Sequence, residues 1–395
     1  MNLLSQIGRE KPLFEHDIDN IEVELAEVIS SSRFLVLGGA GSIGQAVVKE
    51  LFKRSPLVLH VVDISENNLV ELVRDIRSSY GYIEGDFKTF ALDIGSSVFY
   101  SFLEQSPKFD YMLNLSALKH VRSEKDPFTL MRLIQTNILN TTNTIKASKK
   151  QDVKKYFCVS TDKAANPVNM MGASKRIMEM FAARESRHIS VSMARFANVA
   201  YSDGSLLHGF RQRLVKNQPL VGPSDIKRYF ITPQEAGELC LLSCILGKNQ
   251  EVFFPKPDKG LDLTSFRDIA VRFLHYHGLK AIECSNENEA RALAKTAKIT
   301  KEWPCFFSPS NTTGEKMAEE FYTDSEILDL DRFDGVGVIV SGINYEDQKL
   351  TEFEVKISEM INRGSWSKEE LVDLFRSTLP NFSHVEKGAS LDSKM

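Results

Sequence analysis

The feature that most constrains the fold is a glycine-rich turn between a short apolar strand and a helix. The apolar run 34–37 leads directly into Gly-Gly-Ala-Gly-Ser-Ile-Gly at 38–44, and helical spacing follows. Glycines at this spacing allow a tight turn, close approach of the backbone to a diphosphate, and close packing of the helix on the strand. The free N–H groups at the helix start point at a bound anion. The turn therefore predicts a dinucleotide site at Gly38, Gly41, Ser42, Ile43 and Gly44.

A carboxylate at the end of the second strand indicates which dinucleotide binds. Asp63 follows the apolar run 58–62, about 20 residues after Gly44. There it can accept hydrogen bonds from the adenosine ribose hydroxyls, and it would repel a 2′-phosphate, so the sequence favours NAD over NADP. The alternative is a plain glycine turn followed by a solvated aspartate.

Short apolar strands alternate with segments of helical spacing over the first half of the chain. We predict strands at 34–37, 58–62, 90–92, 111–115, 156–159 and 191–196, and helices at 43–53, 66–78, 127–149 and 172–187. This alternation predicts an α/β fold of Rossmann type, a doubly wound parallel sheet with a smaller C-terminal substrate-binding lobe. Ligands bind at the carboxyl ends of the strands in such sheets.

The pattern divides the chain into five predicted parts. They are a helical lead-in at 1–32, an NAD-binding domain at 33–196, a substrate-binding lobe at 197–300 mixed with returning strands of the sheet, a C-terminal extension at 301–380, and a flexible tail at 381–395. The lobe carries predicted helices near 206–217, 233–246 and 264–277. In the extension, a helix is predicted at 368–377, with Ser367 as its cap.

Composition excludes several classes of protein. A net charge of -4 argues against a nucleic-acid or anionic-membrane binder. We find no signal-peptide pattern and no run of roughly 20 apolar residues, so we expect a cytoplasmic protein with no membrane contact. The five cysteines form no CxxC pair and are expected to be reduced thiols, with no metal site.

Two further strand ends carry candidate contacts. Asp93 and Ile94, after the third strand, are placed to meet the adenine, although a helix cap is an equally simple role for them. Ser116 and Ala117, after the fourth strand, are small enough for a cofactor to lie against the backbone. Lys119 follows them and suits a diphosphate, unless it is an ordinary surface lysine.

The fifth strand ends in Ser-Thr-Asp-Lys-Ala-Ala-Asn-Pro at 160–167, and Met-Gly-Ala-Ser-Lys follows at 171–175. Together with the glycine turn and the segments 116–121, 195–199 and 228–230, these motifs resemble extended short-chain dehydrogenases of the nucleotide-sugar 4,6-dehydratase type. The closest resemblance is to the UDP-N-acetylglucosamine 4,6-dehydratases of polysaccharide biosynthesis. It covers about residues 33–255 in the family's order and spacing, and the remainder more loosely resembles members with a C-terminal extension.

The resemblance implies a reaction and assigns an acid and a base to it. The sugar is oxidised at C4 by NAD, water is eliminated across C5 and C6, and the hydride returns to C6. Asp162 corresponds to the acid and Lys163 to the base. Because Lys163 must be neutral to act, we expect positive charge from Lys175 and the nicotinamide to lower its pKa. Without the resemblance, Asp162 and Lys163 are equally well explained as a loop ion pair.

The usual tyrosine of this superfamily is replaced by Met171, which cannot accept the C4 hydroxyl proton. The resemblance places Lys175 on the nicotinamide ribose and leaves Thr161 as the substitute contact to the substrate. Some dehydratases of this type also carry methionine here. The alternative is a non-catalytic relative that binds NAD and serves regulation.

Three later residues match the family's substrate-binding positions. Asn198 corresponds to a diphosphate contact, and Ser205 and Arg228 correspond to nucleotide-binding positions, where an arginine can bind phosphate through two parallel donors.

The sequence thus predicts an NAD-dependent lyase acting on UDP-N-acetylglucosamine for surface-glycan sugars, with retention at C5 because Met171 resembles the non-inverting branch. We expect a homodimer or higher homo-oligomer formed through helices 127–149 and 171–187. A nucleotide-sugar 4-epimerase is the enzymatic alternative, but it needs tyrosine at 171 and has no use for Asp162 beside Lys163.

Overall fold

The computed structural model describes residues 3–257, 259–310, 316 and 318–384. The predicted lead-in contains two helices, α1 (Leu3–Gln6) and α2 (Glu15–Ser30). Of the predicted tail, residues 385–395 lie outside the described part of the chain.

Strands and helices alternate through the first half of the chain, as predicted. They are β1 (Arg33–Leu37), α3 (Ser42–Lys53), β2 (Val58–Asp63), α4 (Glu66–Tyr80), β3 (Asp86–Ala91), α5 (Ser97–Gln105), β4 (Tyr111–Asn114), α6 (Pro127–Ile134), α7 (Asn140–Lys150), β5 (Lys155–Thr161), α8 (Met170–Glu185) and β6 (Ser190–Phe196). Two local differences from the prediction have physical causes. β3 begins four residues early because it is a half-exposed edge strand without an apolar pattern. The helix predicted at 127–149 is interrupted by a π-helical turn at Gln135–Leu139.

The second half adds shorter elements. They are β7 (Asn198–Val199), α9 (Leu206–Val215), β8 (Leu220–Pro223), β9 (Lys227–Arg228), β10 (Phe230–Ile231), α10 (Pro233–Leu246), β11 (Val252–Pro255), β12 (Thr264–Ser265), α11 (Phe266–Tyr276), β13 (Lys280–Glu283), α12 (Glu287–Ala294), α13 (Ala297–Thr300), β14 (Glu302–Ser308), β15 (Ile327–Asp329), β16 (Val336–Ser341), α14 (Asp347–Arg363) and α15 (Lys368–Thr378). Ser367 caps α15 in a capping box with Glu370, which confirms that predicted helix start.

A nine-stranded sheet forms the centre of the molecule, in the order β15-β16-β11-β6-β5-β4-β1-β2-β3. From β11 to β3 all neighbouring strands are parallel, while β16 and β15 run antiparallel at one edge. The order 3-2-1-4-5-6 within it is that of a Rossmann-type doubly wound sheet, which confirms the predicted fold class. Every residue of β2 and β11 is buried, as expected for strands inside a sheet that is covered on both faces.

The extension contributes strands to two of the sheets. β14 lies between β8 and β13 in a small parallel sheet, and β16 pairs with β11 of the main sheet. Its last helices, α14 and α15, pack on α8, where Phe353 meets Phe181 edge-on and Arg184 binds Glu354. The prediction that helices 127–149 and 171–187 pair two subunits is therefore wrong for the second helix, because the chain's own C-terminal helices occupy that face.

No described helix combines the length and the apolar character that crossing a bilayer requires. No described group of His, Cys, Asp and Glu side chains is arranged to hold a metal ion. All five cysteines are described, and each is buried and unpaired.

Candidate active site

The glycine turn joins the carboxyl end of β1 to the first residue of α3. Gly38 has φ +71°, and a Cβ on it would lie 2.6 Å from the Ser116 nitrogen. A Cβ on Gly44 would lie 2.2 Å from the Gly38 carbonyl oxygen, so backbone packing requires glycine at both positions. Gly41 differs, because a Cβ there meets only the Gly38 oxygen at 3.5 Å, an ordinary contact. No contact with the described residues therefore requires glycine at position 41. A ligand lying against the turn would require it, because a side chain there would meet the ligand.

The first residues of α3 connect the turn to its surroundings. The Ser42 hydroxyl accepts a hydrogen bond of 2.8 Å from the Asp203 backbone N–H. Ile43 is half-buried and packs on the main core. The turn is thus fixed by a contact with the second half of the chain as well as by its connection to β1.

Asp63, at the end of β2, braces the same turn. Its Oδ2 accepts a hydrogen bond from the Ala40 N–H at 3.0 Å, and its Oδ1 accepts one from the Ser65 N–H at 2.9 Å. The side chain is buried, which excludes the solvated aspartate considered above. Each carboxylate oxygen retains a lone pair that a ribose hydroxyl can use.

The segment after β3 forms a turn. The exposed Asp93 accepts a hydrogen bond from the Gly95 N–H at its carboxylate and one from the Ser96 hydroxyl at its carbonyl oxygen. Ser96 then caps α5, and Ile94 is buried in the main core. These contacts give Asp93 a local structural role, and its contact with adenine remains a prediction.

The loop after β4 is clamped by a residue that the sequence reasoning missed. Ser116 donates its N–H to Asn114, and Ala117 beside it is half-buried. Asn137 bonds both the N–H and the carbonyl of Leu118, each at 2.9 Å, and it also contacts the Ser174 hydroxyl at 3.0 Å. Asn137 lies in the π-helical turn, a feature that often marks functional sites but has no sequence signature of its own.

Lys119 and Ser205 have protein partners in this structure. The Lys119 amine donates to the Ser202 hydroxyl at 3.2 Å, which places it beside the segment that follows β7. Ser205 accepts a hydrogen bond from the His208 N–H and caps α9. Lys119 is therefore held against the segment that Ser205 belongs to, and the ligand roles of both residues remain predictions.

The predicted acid and base form an ion pair at the end of β5, in which Asp162 is buried and Lys163 is partly buried. The Lys163 amine lies 3.0 Å from Asp162 Oδ1, and the Thr161 hydroxyl donates to the same oxygen at 2.8 Å. Asp162 is 1% exposed, and its Oδ2 has no hydrogen-bond partner among the described residues. A buried carboxylate oxygen without a partner is costly, so it marks a place where a ligand hydroxyl would be stabilising.

A second carboxylate, from the extension, also reaches Lys163. Glu319 Oε1 lies 3.6 Å from the Lys163 amine and 3.7 Å from the Arg228 guanidinium. Burial lowers the pKa of Lys163, but the charges of Asp162 and Glu319 outweigh burial and raise it. The expectation of a lowered Lys163 pKa is therefore wrong for this structure, because two carboxylates surround the amine and stabilise its charged form.

Lys175 and Met171 are buried on α8. The Lys175 amine donates to the Val159 carbonyl oxygen at 3.0 Å, and burial lowers its pKa to about 8. Met171 donates its N–H to Glu124. A Cβ on Gly172 would lie 2.5 Å from the Lys163 carbonyl oxygen, so this glycine lets α8 pack directly on the turn that carries Asp162 and Lys163.

The predicted substrate residues of the lobe lie on neighbouring short strands. Asn198, in β7, donates its N–H to the Tyr229 carbonyl oxygen at 3.1 Å and pairs with Phe230 of β10. Arg228, in β9, is buried. Because Glu319 links Arg228 to Lys163, the structure brings the lobe and the end of β5 to one site.

A buried ionic network holds the extension against this site. Arg195 contacts Glu179 of α8 and Glu326 of the extension at 2.7 to 2.8 Å, and all three side chains are fully buried. Arg195 also donates to the Phe321 carbonyl oxygen, and the Ser160 hydroxyl donates to Glu179. The carboxyl end of β5 is thereby linked to the segment that carries Glu319.

Curated relatives cover different shares of this chain. It is 27% identical over 349 residues to the uncharacterized membrane protein MJ1061 of Methanocaldococcus jannaschii, covering 86% of this chain and 95% of that protein. It is 30% identical to the capsular polysaccharide biosynthesis protein CapD of Staphylococcus aureus, covering 62% of this chain but only 42% of CapD. It is 28% identical to the UDP-glucose 4-epimerase of Rickettsia bellii, covering 56% of this chain and 65% of the epimerase.

Solved structures share the fold. Pen from Bacillus thuringiensis has a TM-score of 0.64 at 23% identity, covering 79% of this chain and 88% of Pen. A double mutant of DesIV, a dTDP-glucose 4,6-dehydratase from Streptomyces venezuelae solved with NAD and DAU bound, has a TM-score of 0.56 at 17% identity, covering 73% and 87%. Both likenesses confirm the Rossmann-type architecture.

The polysaccharide biosynthesis protein family model matches residues 34–339, which is most of the chain and includes the glycine turn, the Asp162–Lys163 pair and the segment carrying Glu319. The chain therefore belongs to the polysaccharide biosynthesis protein family.

Proposed function

We propose that this protein is an NAD-dependent 4,6-dehydratase that converts UDP-N-acetylglucosamine to a UDP-4-keto-6-deoxy sugar with retention at C5. The observation that carries the proposal is the Asp162–Lys163 ion pair at the end of β5, in which the carboxylate is buried. An elimination needs an acid and a base beside each other, whereas a 4-epimerase has only the C4 hydroxyl proton to transfer and has no use for this second pair. The family's role in polysaccharide biosynthesis and the NAD-bound dehydratase among the structural neighbours support the same reaction.

The chain's own residues fit NAD. Backbone atoms exclude a side chain at Gly38 and Gly44, while a Cβ on Gly41 would make only an ordinary contact of 3.5 Å. Asp63 braces the turn beside them. The N-terminus of α3 directs its free N–H groups towards this turn. When bound, NAD supplies the hydride acceptor for the sugar C4 and returns the hydride to C6.

Thr161 and Asp162 can move the C4 hydroxyl proton without a tyrosine. The Thr161 hydroxyl already donates to Asp162, so a proton arriving at Thr161 from the C4 hydroxyl displaces its own proton onto Asp162. Asp162 then gives this proton to the departing C6 hydroxyl. Lys175, whose pKa is about 8, stabilises the negative charge that develops at C4. Met171 shields this region without taking part in proton transfer.

Lys163 takes the C5 proton and returns it to the same face, which gives retention. Arg228, with Asn198 and Lys119, binds the diphosphate, and Ser205 positions the start of α9 near the nucleotide. The five unpaired cysteines favour a reducing compartment, the cytoplasm. We further propose a homodimer whose interface does not include α8, a point that light scattering tests.

Incubation with UDP-N-acetylglucosamine in D₂O tests the proposal. We expect a product that has lost the C6 oxygen and gained deuterium at C5, detected by mass spectrometry and NMR. Lys163→Ala should abolish this product while NAD stays bound, and Lys149→Ala, an exposed lysine on α7, should not. A 4-epimer alone would establish an epimerase, and unchanged sugar would establish a non-catalytic protein that binds NAD.

A further inference from the structure

Glu319 is placed to control the protonation of Lys163. Its carboxylate is buried between the Lys163 amine at 3.6 Å and the Arg228 guanidinium at 3.7 Å. Its second oxygen, Oε2, has no hydrogen-bond partner among the described residues. The charged groups facing it are Asp162 and Lys163 from the end of β5, Arg228 from β9, and Lys316 from its own segment.

The position of Glu319 is fixed by the chain that follows it. Phe321 is buried and stacks on Phe254 of β11, with ring centroids 6.0 Å apart and planes at 19°. Its carbonyl oxygen accepts a hydrogen bond from Arg195, which also binds Glu326. Because these anchors are buried, the carboxylate is held beside Lys163 as part of the fold.

Lys163 cannot act as a base in the form that this environment favours. The charges of Asp162 and Glu319 keep it an ammonium, and an ammonium has no lone pair with which to take a proton from carbon. Asp162 cannot accept the proton of Lys163 during the elimination, since Asp162 must itself carry the proton that leaves with the C6 oxygen. The other salt bridge of Lys163 within the described residues is to Glu319.

We propose that Glu319 is the proton acceptor for Lys163, which frees the Lys163 amine to remove the C5 proton. This inference rests on the proposed dehydratase function. Once the 3.6 Å between the two atoms shortens to hydrogen-bond distance, one N–H bond of the ammonium breaks as an O–H bond forms on Glu319. The ion pair becomes a neutral amine beside a neutral acid, and no charge is created. Burial, with the charge of Asp162, raises the pKa of Glu319 against the charges of Lys163 and Arg228, so Glu319 is a better proton acceptor than a solvated glutamate.

The proton cycle then closes. The amine takes the C5 proton, and it returns a proton to C5 after the hydride has reached C6. Glu319 gives its proton back to Lys163 when the product leaves, which restores the starting ion pair. Glu319 acts through Lys163 and is thus a positioning residue for proton transfer, supplied by the extension.

The decisive comparison is Glu319→Gln against Glu320→Gln. Both changes remove one carboxylate from the same segment, but Glu320 is exposed and bonds Asn166. We expect Glu319→Gln to lower kcat by about 10²–10⁴-fold, the range for loss of a positioned proton acceptor, with a much smaller change in KM. Glu320→Gln should retain wild-type kcat, and Glu319→Asp, which keeps the carboxylate, should retain more activity than Glu319→Gln.

A pH profile separates this role from a structural one. Without Glu319, Lys163 must lose its proton to solvent, so kcat of Glu319→Gln should rise steeply with pH and approach the wild type under alkaline conditions. Deuterium uptake at C5 should follow the same curve. A loss that is equal at every pH, a change confined to KM, or wild-type kcat in Glu319→Gln would overturn the proposal. If wild type and Glu320→Gln also fail to form the keto product, the dehydratase function itself fails.

Discussion

Replacement of Arg195 by methionine should destabilise the protein strongly, because it leaves two carboxylates buried without their main cation. Arg195, Glu179 and Glu326 are all fully buried. Removing one partner of a buried pair typically costs about 3–5 kcal/mol. Arg176 still contacts both carboxylates, at 3.0 Å and 2.9 Å, so we expect the lower end, about 3 kcal/mol. That is a large part of the roughly 5–15 kcal/mol that stabilises a typical domain.

Urea unfolding followed by circular dichroism measures this loss, with Arg187→Met as the matched control. Arg187 also pairs with a carboxylate, Asp347, but both side chains are about half exposed, so water replaces the lost partner. A transition midpoint for Arg195→Met that is as high as that of Arg187→Met would refute the reasoning.

The stability that this ionic network supplies depends on pH through Glu179. Burial raises the pKa of Glu179, but Arg195 and Arg176 outweigh burial and lower it from 4.5 to about 2. A lowered carboxyl pKa stabilises the fold above the unfolded-state value, and this stabilisation is lost as the pH falls from about 4.5 to about 2. The wild-type advantage over Arg195→Met should therefore shrink in this window, and an advantage that grows there would contradict the assignment.

Two further predictions concern the glycine turn and the thiols. Gly44→Ala should lower both stability, by about 1–3 kcal/mol, and NAD affinity, since its Cβ would meet backbone at 2.2 Å. Gly41→Ala should lower NAD affinity alone, and calorimetry with melting curves distinguishes the two; equal stability losses would refute the distinction. The cysteines should resist a thiol reagent at pH 8 until urea unfolds the chain, because burial raises the pKa of Cys158, Cys244 and Cys305 to about 12. Rapid labelling of the folded protein would contradict this.

Local patterns were sufficient to predict the part of the fold that surrounds the glycine turn. The strands β1, β2, β4, β5 and β6 are buried, so their apolar runs are visible in the sequence, and Gly38 and Gly44 are required by contacts within a few residues or across one strand pair. Asp162 and Lys163 are consecutive in the sequence, so their proximity could be predicted in the same way. The predicted start of β3 lies too late in the chain, because an edge strand with polar residues lacks that apolar pattern.

Long-range packing supplied the rest. Glu319 contacts Lys163 from more than 150 positions away in the sequence. Asn137 binds the loop after β4 from the π-helical turn. Neither contact has a local sequence pattern from which it could be predicted. The covering of α8 by α14 and α15 has the same origin. The raised Lys163 pKa follows from these contacts, because the field at an amine depends on which charges the whole fold places within a few ångströms, whatever their distance along the chain.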